Sequence, residues 1–168
     1  MKKNCLSILT LTFCFGFFTK CERDDICIEG TQGTPNLIVR FFDSDNTSEL
    51  KKVPFLLIND LNSPNEEYLN RYIFGADSIS IQLNETKDFT QLKFFYDWGS
   101  ENQNIDTLKF NHNRIDEYIN RACGFRGQFV LKEKAIEGIG TLDSWVKSFK
   151  VIKDSISNEN SMHLAIYH

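Results

Sequence analysis

The feature that most restricts the fold of this chain is an alternation of apolar and polar residues that recurs after the first 35 positions. In its clearest instance, Ile79, Ile81 and Leu83 are separated by Ser80 and Gln82. Successive side chains of a β-strand point to opposite faces, so a period of two places the apolar residues of such a row on one face. The pattern therefore predicts half-buried strands.

Further rows of this kind run along the rest of the chain. They comprise Leu37, Val39 and Phe41; Leu92, Phe94, Tyr96 and Trp98; Leu108 and Phe110; Phe129 and Leu131; Trp145, Phe149 and Val151; and Leu164 and Ile166. Together with the apolar segments 55–58 and 118–122, they indicate about eight or nine short strands. Segments rich in Asn, Asp, Ser and Gly separate them, at 43–49, 59–67, 97–106, 137–140 and 155–161.

Because each sheet needs a second layer to cover its apolar face, these strands predict an all-β fold, an antiparallel sandwich of two sheets. An immunoglobulin-like arrangement is the named architecture that fits best, with only part of its usual marks present. One short helical segment through Tyr72 is also expected. Its basis is Ser63-Pro64-Asn65-Glu66, which has the spacing of a capping box with proline at the first helical position.

Residues 1–20 differ in character from the rest of the chain. Lys2 and Lys3 precede an apolar stretch, residues 5–18, which ends just before Cys21. A basic start and an apolar run of this length are typical of an export signal, and the run is shorter than the roughly 20 residues that span a bilayer. A cysteine directly after the run predicts a lipoprotein, in which residues 1–20 are a cleaved signal peptide and Cys21 is acylated at the new N-terminus.

The rest of the chain then divides into a lipidated tether and N-terminal segment over residues 21–35 and a sandwich domain over residues 36–168. Without residues 1–20 the chain has 148 residues, a usual size for one domain, and 16 basic against 23 acidic residues, a formal net charge of −7. This charge disfavours nucleic acid as a partner and an electrostatic hold on anionic lipid. The membrane contact is therefore expected through the acyl chains on Cys21.

Two cysteines, Cys27 and Cys123, remain once the signal and the lipid-bearing position are set aside. An even remainder in an exported chain indicates one disulfide, and the chain-entropy model gives a loop of this length about 4 to 5 kcal/mol of stabilisation. Two buried free thiols are the alternative. A zinc site is disfavoured, because the paired ligand spacing of such sites is lacking.

Motifs for catalysis or metal binding are incomplete. The segment 43–54 begins like a calcium loop, but Ser48 and Pro54 occupy the positions that need glycine and glutamate. No two of the three histidines, His112, His163 and His168, have the spacing of metal ligands on one helix, and His112 continues an apolar row, which indicates a structural histidine at the sheet rim. No serine lies in a Gly-x-Ser-x-Gly motif. We therefore expect no catalytic residue, no bound metal and no cofactor.

Trp98 is the candidate binding residue. Its row also contains Phe94 and Tyr96, and their spacing predicts core packing, but Trp98 lies at the strand end beside Gly99-Ser100. A ring at such a position can project from a loop, and loops concentrate recognition residues. We expect recognition in the loops 59–67 or 97–106, with Trp98 as the aromatic anchor.

Four segments of the chain carry a family resemblance: Cys21-Glu22-Arg23-Asp24-Asp25-Ile26-Cys27, Thr34-Pro35-Asn36-Leu37-Ile38-Val39-Arg40-Phe41, Ala76-Asp77-Ser78-Ile79 and Arg121-Ala122-Cys123-Gly124-Phe125. Together they resemble uncharacterised small lipoproteins from Bacteroidota. The resemblance implies an envelope lipoprotein with a β fold and brings no known activity. Glu22, Asp24 and Asp25 resemble acidic signals that send lipoproteins of such bacteria to the outer face of the outer membrane. Lys20 departs from the pattern, in which Gly, Ala or Ser precedes the acylated cysteine.

The sequence thus predicts a lipid-anchored, non-enzymatic binding module at the outer membrane, at the cell surface or on the periplasmic face, with an envelope protein or glycan as its partner. Two alternatives stay open. One is an envelope glycan or peptide hydrolase that uses acids from residues 43–49 and 97–106, and the other is a structural subunit of an envelope assembly. A cleft with two carboxylates and a histidine would favour the hydrolase, whereas a flat or convex face with exposed aromatic rings would favour binding.

Overall fold

The computed structural model describes residues 26–61, 68–138 and 143–168. Ten strands lie in these ranges: β1 (Leu37–Phe42), β2 (Leu56–Asp60), β3 (Tyr68–Tyr72), β4 (Ser78–Ile81), β5 (Phe89–Tyr96), β6 (Asn104–Asn120), β7 (Gly124–Glu137), β8 (Ser148–Val151), β9 (Ser155–Ile156) and β10 (Leu164–Tyr167). The same ranges contain no helix, and so none that is long and apolar enough to cross a membrane.

The chain divides into two compact units. The smaller comprises Met1–Thr31 and Tyr118–Phe125, of which residues 26–31 and 118–125 are described, and the larger comprises Gln32–Glu117 and Arg126–His168. We refer to the smaller as the cystine unit, after its disulfide, and to the larger as the sandwich unit.

The sandwich unit is built on two sheets, as the sequence predicts. One sheet has four strands in the order β4-β1-β10-β8, and the other has six in the order β3-β2-β5-β6-β7-β9. Antiparallel pairing joins β1 to β4 and β5 to β6, whereas β1 and β10 run parallel, with Val39 opposite Leu164. The fold is therefore an all-β, two-sheet sandwich with one parallel pairing between strands that are far apart in the sequence.

The alternation in the sequence corresponds to the burial of alternate side chains. Leu37, Val39 and Phe41 of β1 are fully buried, while the residues between them are half-buried. In the other sheet Phe94 and Phe110 are fully buried, with ring centroids 6.1 Å apart. Full burial of one such side chain contributes roughly 1.5–3 kcal/mol. The apolar rows of both sheets belong to one core cluster, which holds the two layers together.

The helix predicted to reach Tyr72 is wrong for the part of it that the structure describes. Residues Tyr68–Tyr72 form β3, an edge strand that pairs with β2 and sets Tyr72 opposite Leu56 and Arg71 opposite Leu57. Capping signals favour a helix locally, but the ladder bonds and cross-strand contacts of a strand outweigh them. The capping motif itself, at 63–66, lies outside the described residues.

The cystine unit is organised around a disulfide between Cys27 and Cys123, whose Cα atoms are 4.8 Å apart. The predicted pairing is thus confirmed. Local hydrogen bonds support both joined segments: the Cys123 backbone amide donates to Asn120 Oδ1, and the Thr31 hydroxyl donates to the Ile28 carbonyl, each at 2.7 Å. The covalent bond therefore joins the segment near residue 27 to the turn between β6 and β7.

Candidate functional site

Trp98 lies in the turn that follows β5, as the sequence predicts, and its side chain is half-buried. Its ring meets the ring of Phe55 edge to face, with centroids 5.4 Å apart and an interplanar angle of 76°. The other members of its row behave differently, because Phe94 is fully buried and Tyr96 packs against the core. Trp98 is therefore the one member of this row that stands outside the core.

The guanidinium group of Arg71 lies over both of these rings. The guanidinium carbon of Arg71 lies 4.9 Å from the centroid of Trp98 and 5.5 Å from that of Phe55. Cation–π contacts at exposed sites are worth about 0.5–1 kcal/mol each. The Arg71 side chain is exposed, and among the described residues no carboxylate forms an ion pair with it.

The register of the six-stranded sheet explains how these residues meet. Leu57 of β2 stands opposite Arg71 on one side and Phe95 of β5 on the other, and Phe95 in turn stands opposite Ile105 of β6. Residues in register share a face of the sheet. Since neighbouring Phe94 points into the core, this row lies on the outer face. We name Phe55, Arg71, Trp98, Phe95 and Ile105 the aromatic–arginine surface.

The two turns that carry Phe55 and Trp98 have strained backbone angles and are hydrogen-bonded to each other. Phe55 and Asp97 have positive φ angles of 31° and 50°, which cost about 1–3 kcal/mol each in residues other than glycine. Two backbone hydrogen bonds join these turns: the Asp97 amide donates to the Pro54 carbonyl at 3.0 Å, and the Trp98 amide donates to the Phe55 carbonyl at 3.1 Å. The rings of Phe55 and Trp98 are therefore positioned before any partner arrives.

Two further apolar side chains follow Arg71 along the chain. Ile73 is 53 % exposed and Phe74 is 89 % exposed, in the turn that follows β3. This turn needs Gly75: its φ is +74°, and a Cβ atom there would lie 2.9 Å from the Val53 carbonyl oxygen. The sheet end that carries the aromatic–arginine surface thus also presents an exposed apolar turn.

Sequence reasoning found Trp98 but missed Phe55 and Arg71. The sequence pattern places Phe55 in a short strand and Arg71 within the expected helix. Neither has a local signal for recognition, because they reach Trp98 only through the pairing of β2 with β3 and β5. Of the two loops expected to carry recognition, 97–106 supplies Trp98, and residues 62–67 of the other lie outside the described ranges.

A polar groove is a second candidate binding region, in addition to the aromatic–arginine surface. A groove of about 310 Å³ is lined by Asn36, Asn70, Tyr72, Ser80 and Gln82. Burial raises the pKa of Tyr72, whose side chain also hydrogen-bonds the Ser80 backbone. Amides, hydroxyls and one aromatic ring are the groups that hydrogen-bond and stack on sugars. The groove can therefore accept a neutral polar ligand.

The acidic residues considered for a hydrolase take part in local structure. Asp43 accepts a hydrogen bond from the Asp45 amide at 3.1 Å and pairs with Lys51 at 3.2 Å, and these contacts, the first above all, lower the pKa of Asp43. Asp106 is buried and accepts hydrogen bonds from the Ser144 hydroxyl and the Val146 amide, each at 2.8 Å. Both carboxylates are thus held by neighbouring groups of the fold.

His112 lies in the core, not at the sheet rim as expected. Its side chain is fully buried, with Nε2 2.9 Å from the Thr90 hydroxyl and the ring edge to face with Phe129. Burial, and secondarily the charge of Lys132, lower the pKa of His112 to about 4. The imidazole is therefore neutral at pH 7 and structural in its contacts.

The other two histidines are also buried. The Nδ1 atom of His163 accepts from the Ile38 amide at 3.0 Å, and the Nε2 atom of His168 lies 3.1 Å from the Lys51 carbonyl. Burial lowers the pKa of both. Within the described ranges no three His, Cys, Asp or Glu side chains are grouped so that they could hold a metal ion.

The export and lipidation residues of the sequence prediction cannot be placed in this geometry. Cys21, Glu22, Asp24 and Asp25 lie outside the described residues.

Comparison with known protein families matches most of the chain to a family. The model of a family of unknown function, DUF6452, matches residues 58–168, a span that includes Arg71, Trp98 and Cys123. No curated protein and no solved structure matches the chain.

Proposed function

The chain belongs to DUF6452, a family of unknown function, and we propose that it is a lipid-anchored binding protein of the outer membrane. In this proposal the aromatic–arginine surface of the sandwich unit binds a protein partner. The observation that carries it is the exposed guanidinium of Arg71 stacked on Phe55 and Trp98.

The composition of the surface supports recognition of a protein. Tryptophan and arginine are enriched among the residues that dominate binding energy at interfaces, and a stacked arginine is preorganised to donate to a carboxylate or carbonyl. The strained turns at Phe55 and Asp97 hold the rings in place, which reduces the entropy lost on binding. The exposed side chains of Ile73 and Phe74 add apolar area at the same sheet end.

The sequence supports the anchor. Residues 1–20 have the order of a signal peptide, and Cys21 follows the apolar run directly. The resemblance to small lipoproteins from Bacteroidota agrees with acylation at Cys21, and Glu22, Asp24 and Asp25 agree with export to the outer membrane. We place the protein at the cell surface or on the periplasmic face, tethered by its acyl chains.

Photo-crosslinking in intact cells tests the binding proposal. A photo-reactive phenylalanine analogue at Phe74 should form a defined adduct with one envelope protein. Arg71→Gln should abolish that adduct, and Lys150→Gln, a matched change of an exposed residue on β8, should preserve it. An adduct that survives Arg71→Gln unchanged would contradict the role of the surface.

Glycan binding is the second candidate function, and the polar groove lined by Tyr72, Ser80 and Gln82 favours it. In that case Gln82→Ala should weaken binding of an envelope oligosaccharide, measured by calorimetry, while Trp98→Ala leaves it unchanged. The two variants therefore separate a glycan in the groove from a protein on the aromatic–arginine surface.

A further inference from the structure

We propose that the cystine unit inserts its exposed apolar side chains into the interfacial layer of the membrane, as a second contact beside the acyl chains. The inference rests on the proposed lipid anchor at Cys21.

Apolar exposure is concentrated in this unit. The exposed fractions are 78 % for Ile26, 75 % for Ile28, 55 % for Tyr118 and 65 % for Phe125. These are four of the ten large apolar side chains that are exposed in the described part of the chain, yet they come from only the six residues 26–31 and the eight residues 118–125. We name these four side chains the apolar patch, and a concentration of exposed apolar side chains marks a surface that another phase or molecule covers.

The disulfide joins the two segments that carry these four side chains. Ile26 and Ile28 flank Cys27, whose Cα atom is 4.8 Å from that of Cys123. Phe125 follows Cys123 by two residues and packs edge to face on Tyr118, with centroids 5.3 Å apart. The patch is therefore held by one covalent bond and one ring contact.

The short segment between Cys21 and Ile26 indicates that the membrane covers the apolar side chains. Ile26 follows Cys21 by only five positions. At about 3.5 Å per extended residue, Ile26 cannot lie more than roughly 18 Å from the acylated cysteine. Since the acyl chains would fix Cys21 at the bilayer surface, the patch is kept within reach of the interfacial region.

The side-chain types match that region. Tyrosine and phenylalanine with neighbouring isoleucines form the mixed aromatic and aliphatic face that enters the headgroup boundary. In the sequence, Glu22, Asp24 and Asp25 lie between Cys21 and Ile26, and anionic lipid would repel their charges. We therefore expect a preference for zwitterionic over anionic bilayers.

Tryptophan quenching tests the insertion. Phe125→Trp is introduced into the acylated protein, which is purified from membranes and reconstituted into zwitterionic vesicles with and without brominated lipid. The new ring should lose about half of its fluorescence or more when the lipid is brominated. Ile152→Trp, a matched change at an exposed residue of the sandwich unit, should lose little, and the signal of Trp98 and Trp145 in the unaltered protein sets the baseline.

A mass analysis and a second way of tethering the chain distinguish failure of the lipid anchor from failure of the membrane insertion. Mass analysis of the same sample reports acylation, so an acylated protein without quenching overturns the inference and leaves the anchor intact. If acylation is absent, the anchor proposal fails, and the full mature chain with Cys21→Ser and an N-terminal polyhistidine tag is held on nickel-chelating lipid instead. Quenching in that form supports the insertion, and its absence overturns it.

Partition of the untethered chain gives a quantitative measure. Ile28→Asn combined with Phe125→Asn should lower the binding of the Cys21→Ser chain to zwitterionic vesicles by roughly tenfold. Peptide mapping of the disulfide between Cys27 and Cys123 verifies that the variant is folded around its cystine. Dimerisation of the same chain in sedimentation, lost in this variant without any vesicle binding, would show that a second copy covers the patch and would overturn the membrane assignment.

Discussion

The aromatic–arginine surface and the cystine unit both expose large apolar side chains, but different forces hold them in place. Strand register, two hydrogen-bonded turns and a cation over two rings position Trp98. One covalent bond, one ring pair and local hydrogen bonds hold the cystine unit. The first surface combines shape, charge and preorganisation, which suits one specific partner. The second offers apolar area with little polar geometry, which suits a fluid apolar phase.

The largest effect on stability should come from removing the disulfide of the cystine unit. Cys27→Ser combined with Cys123→Ser opens a loop with a sequence separation of 96 residues, and the chain-entropy model predicts a loss of about 4 to 5 kcal/mol. Chemical denaturation should show this loss relative to the oxidised protein. An unchanged midpoint would mean that the disulfide does not constrain the unfolded chain.

The next effect is expected in the core, away from both exposed regions. His112 has a pKa of about 4 when folded against an ordinary value of 6.5, so the folded state resists protonation. Above pH 6.5 the His112 side chain is neutral in both the folded and the unfolded state. As the pH falls from 6.5 towards 4, the unfolded state binds a proton and the folded state does not, so the free energy of unfolding falls by about 3 kcal/mol. His163 and His168 shift in the same direction.

Unfolding free energies measured between pH 7 and pH 4 test this prediction. His112→Gln, which keeps a hydrogen-bonding group near Thr90, should flatten the acid loss. Glu117→Gln serves as the control, because hydrogen bonds from Arg126 and Gln128 lower the pKa of Glu117 below its ordinary value of 4.5, so its effect belongs at more acid pH. A wild-type profile that is flat down to pH 4 would contradict the burial of a neutral His112.

Smaller changes are expected when the aromatic–arginine surface is altered. Trp98→Ala removes a half-buried ring outside the core together with its edge-to-face contact with Phe55 and one cation–π contact, so it should cost about 1–2 kcal/mol. Thermal unfolding measures this cost. A fall of the melting temperature by more than about 8 °C would exceed it, make Trp98 a structural residue and weaken its assignment to recognition.

The smallest effect is expected in the cystine unit. Phe125 is mostly exposed, and among the described residues of its unit the one ring it packs on is that of Tyr118. Phe125→Ala should therefore change the unfolding free energy by less than about 0.5 kcal/mol. Comparison with Trp98→Ala in the same denaturation series then ranks the two exposed surfaces by their coupling to the fold.

The fold could be predicted from the sequence because alternation reports burial directly. Leu37, Val39 and Phe41 show a period of two in the sequence and the same period in burial. β3 and the two-residue β9 were not predicted, because a short edge strand carries little apolar alternation and local capping signals compete with it. The parallel pairing of β1 with β10 also has no local signature, because it joins residues 125 positions apart, such as Val39 and Leu164.

The candidate site was only partly predictable. Trp98 could be found because its position at a strand end is visible in the sequence. Arg71 and Phe55 could not, because their proximity to Trp98 depends on which strands neighbour β2. The disulfide was predictable for a different reason, since counting cysteines after the signal leaves only one pair.

The central claim is that the aromatic–arginine surface, and not the cystine unit, recognises the partner. The most direct measurement is the yield of the photo-adduct at Phe74 in intact cells for Trp98→Ala and Phe125→Ala, each at equal surface abundance. We predict a loss of about tenfold or more for Trp98→Ala and an unchanged yield for Phe125→Ala. An unchanged yield for Trp98→Ala together with a loss for Phe125→Ala would contradict this assignment of recognition to the sandwich unit.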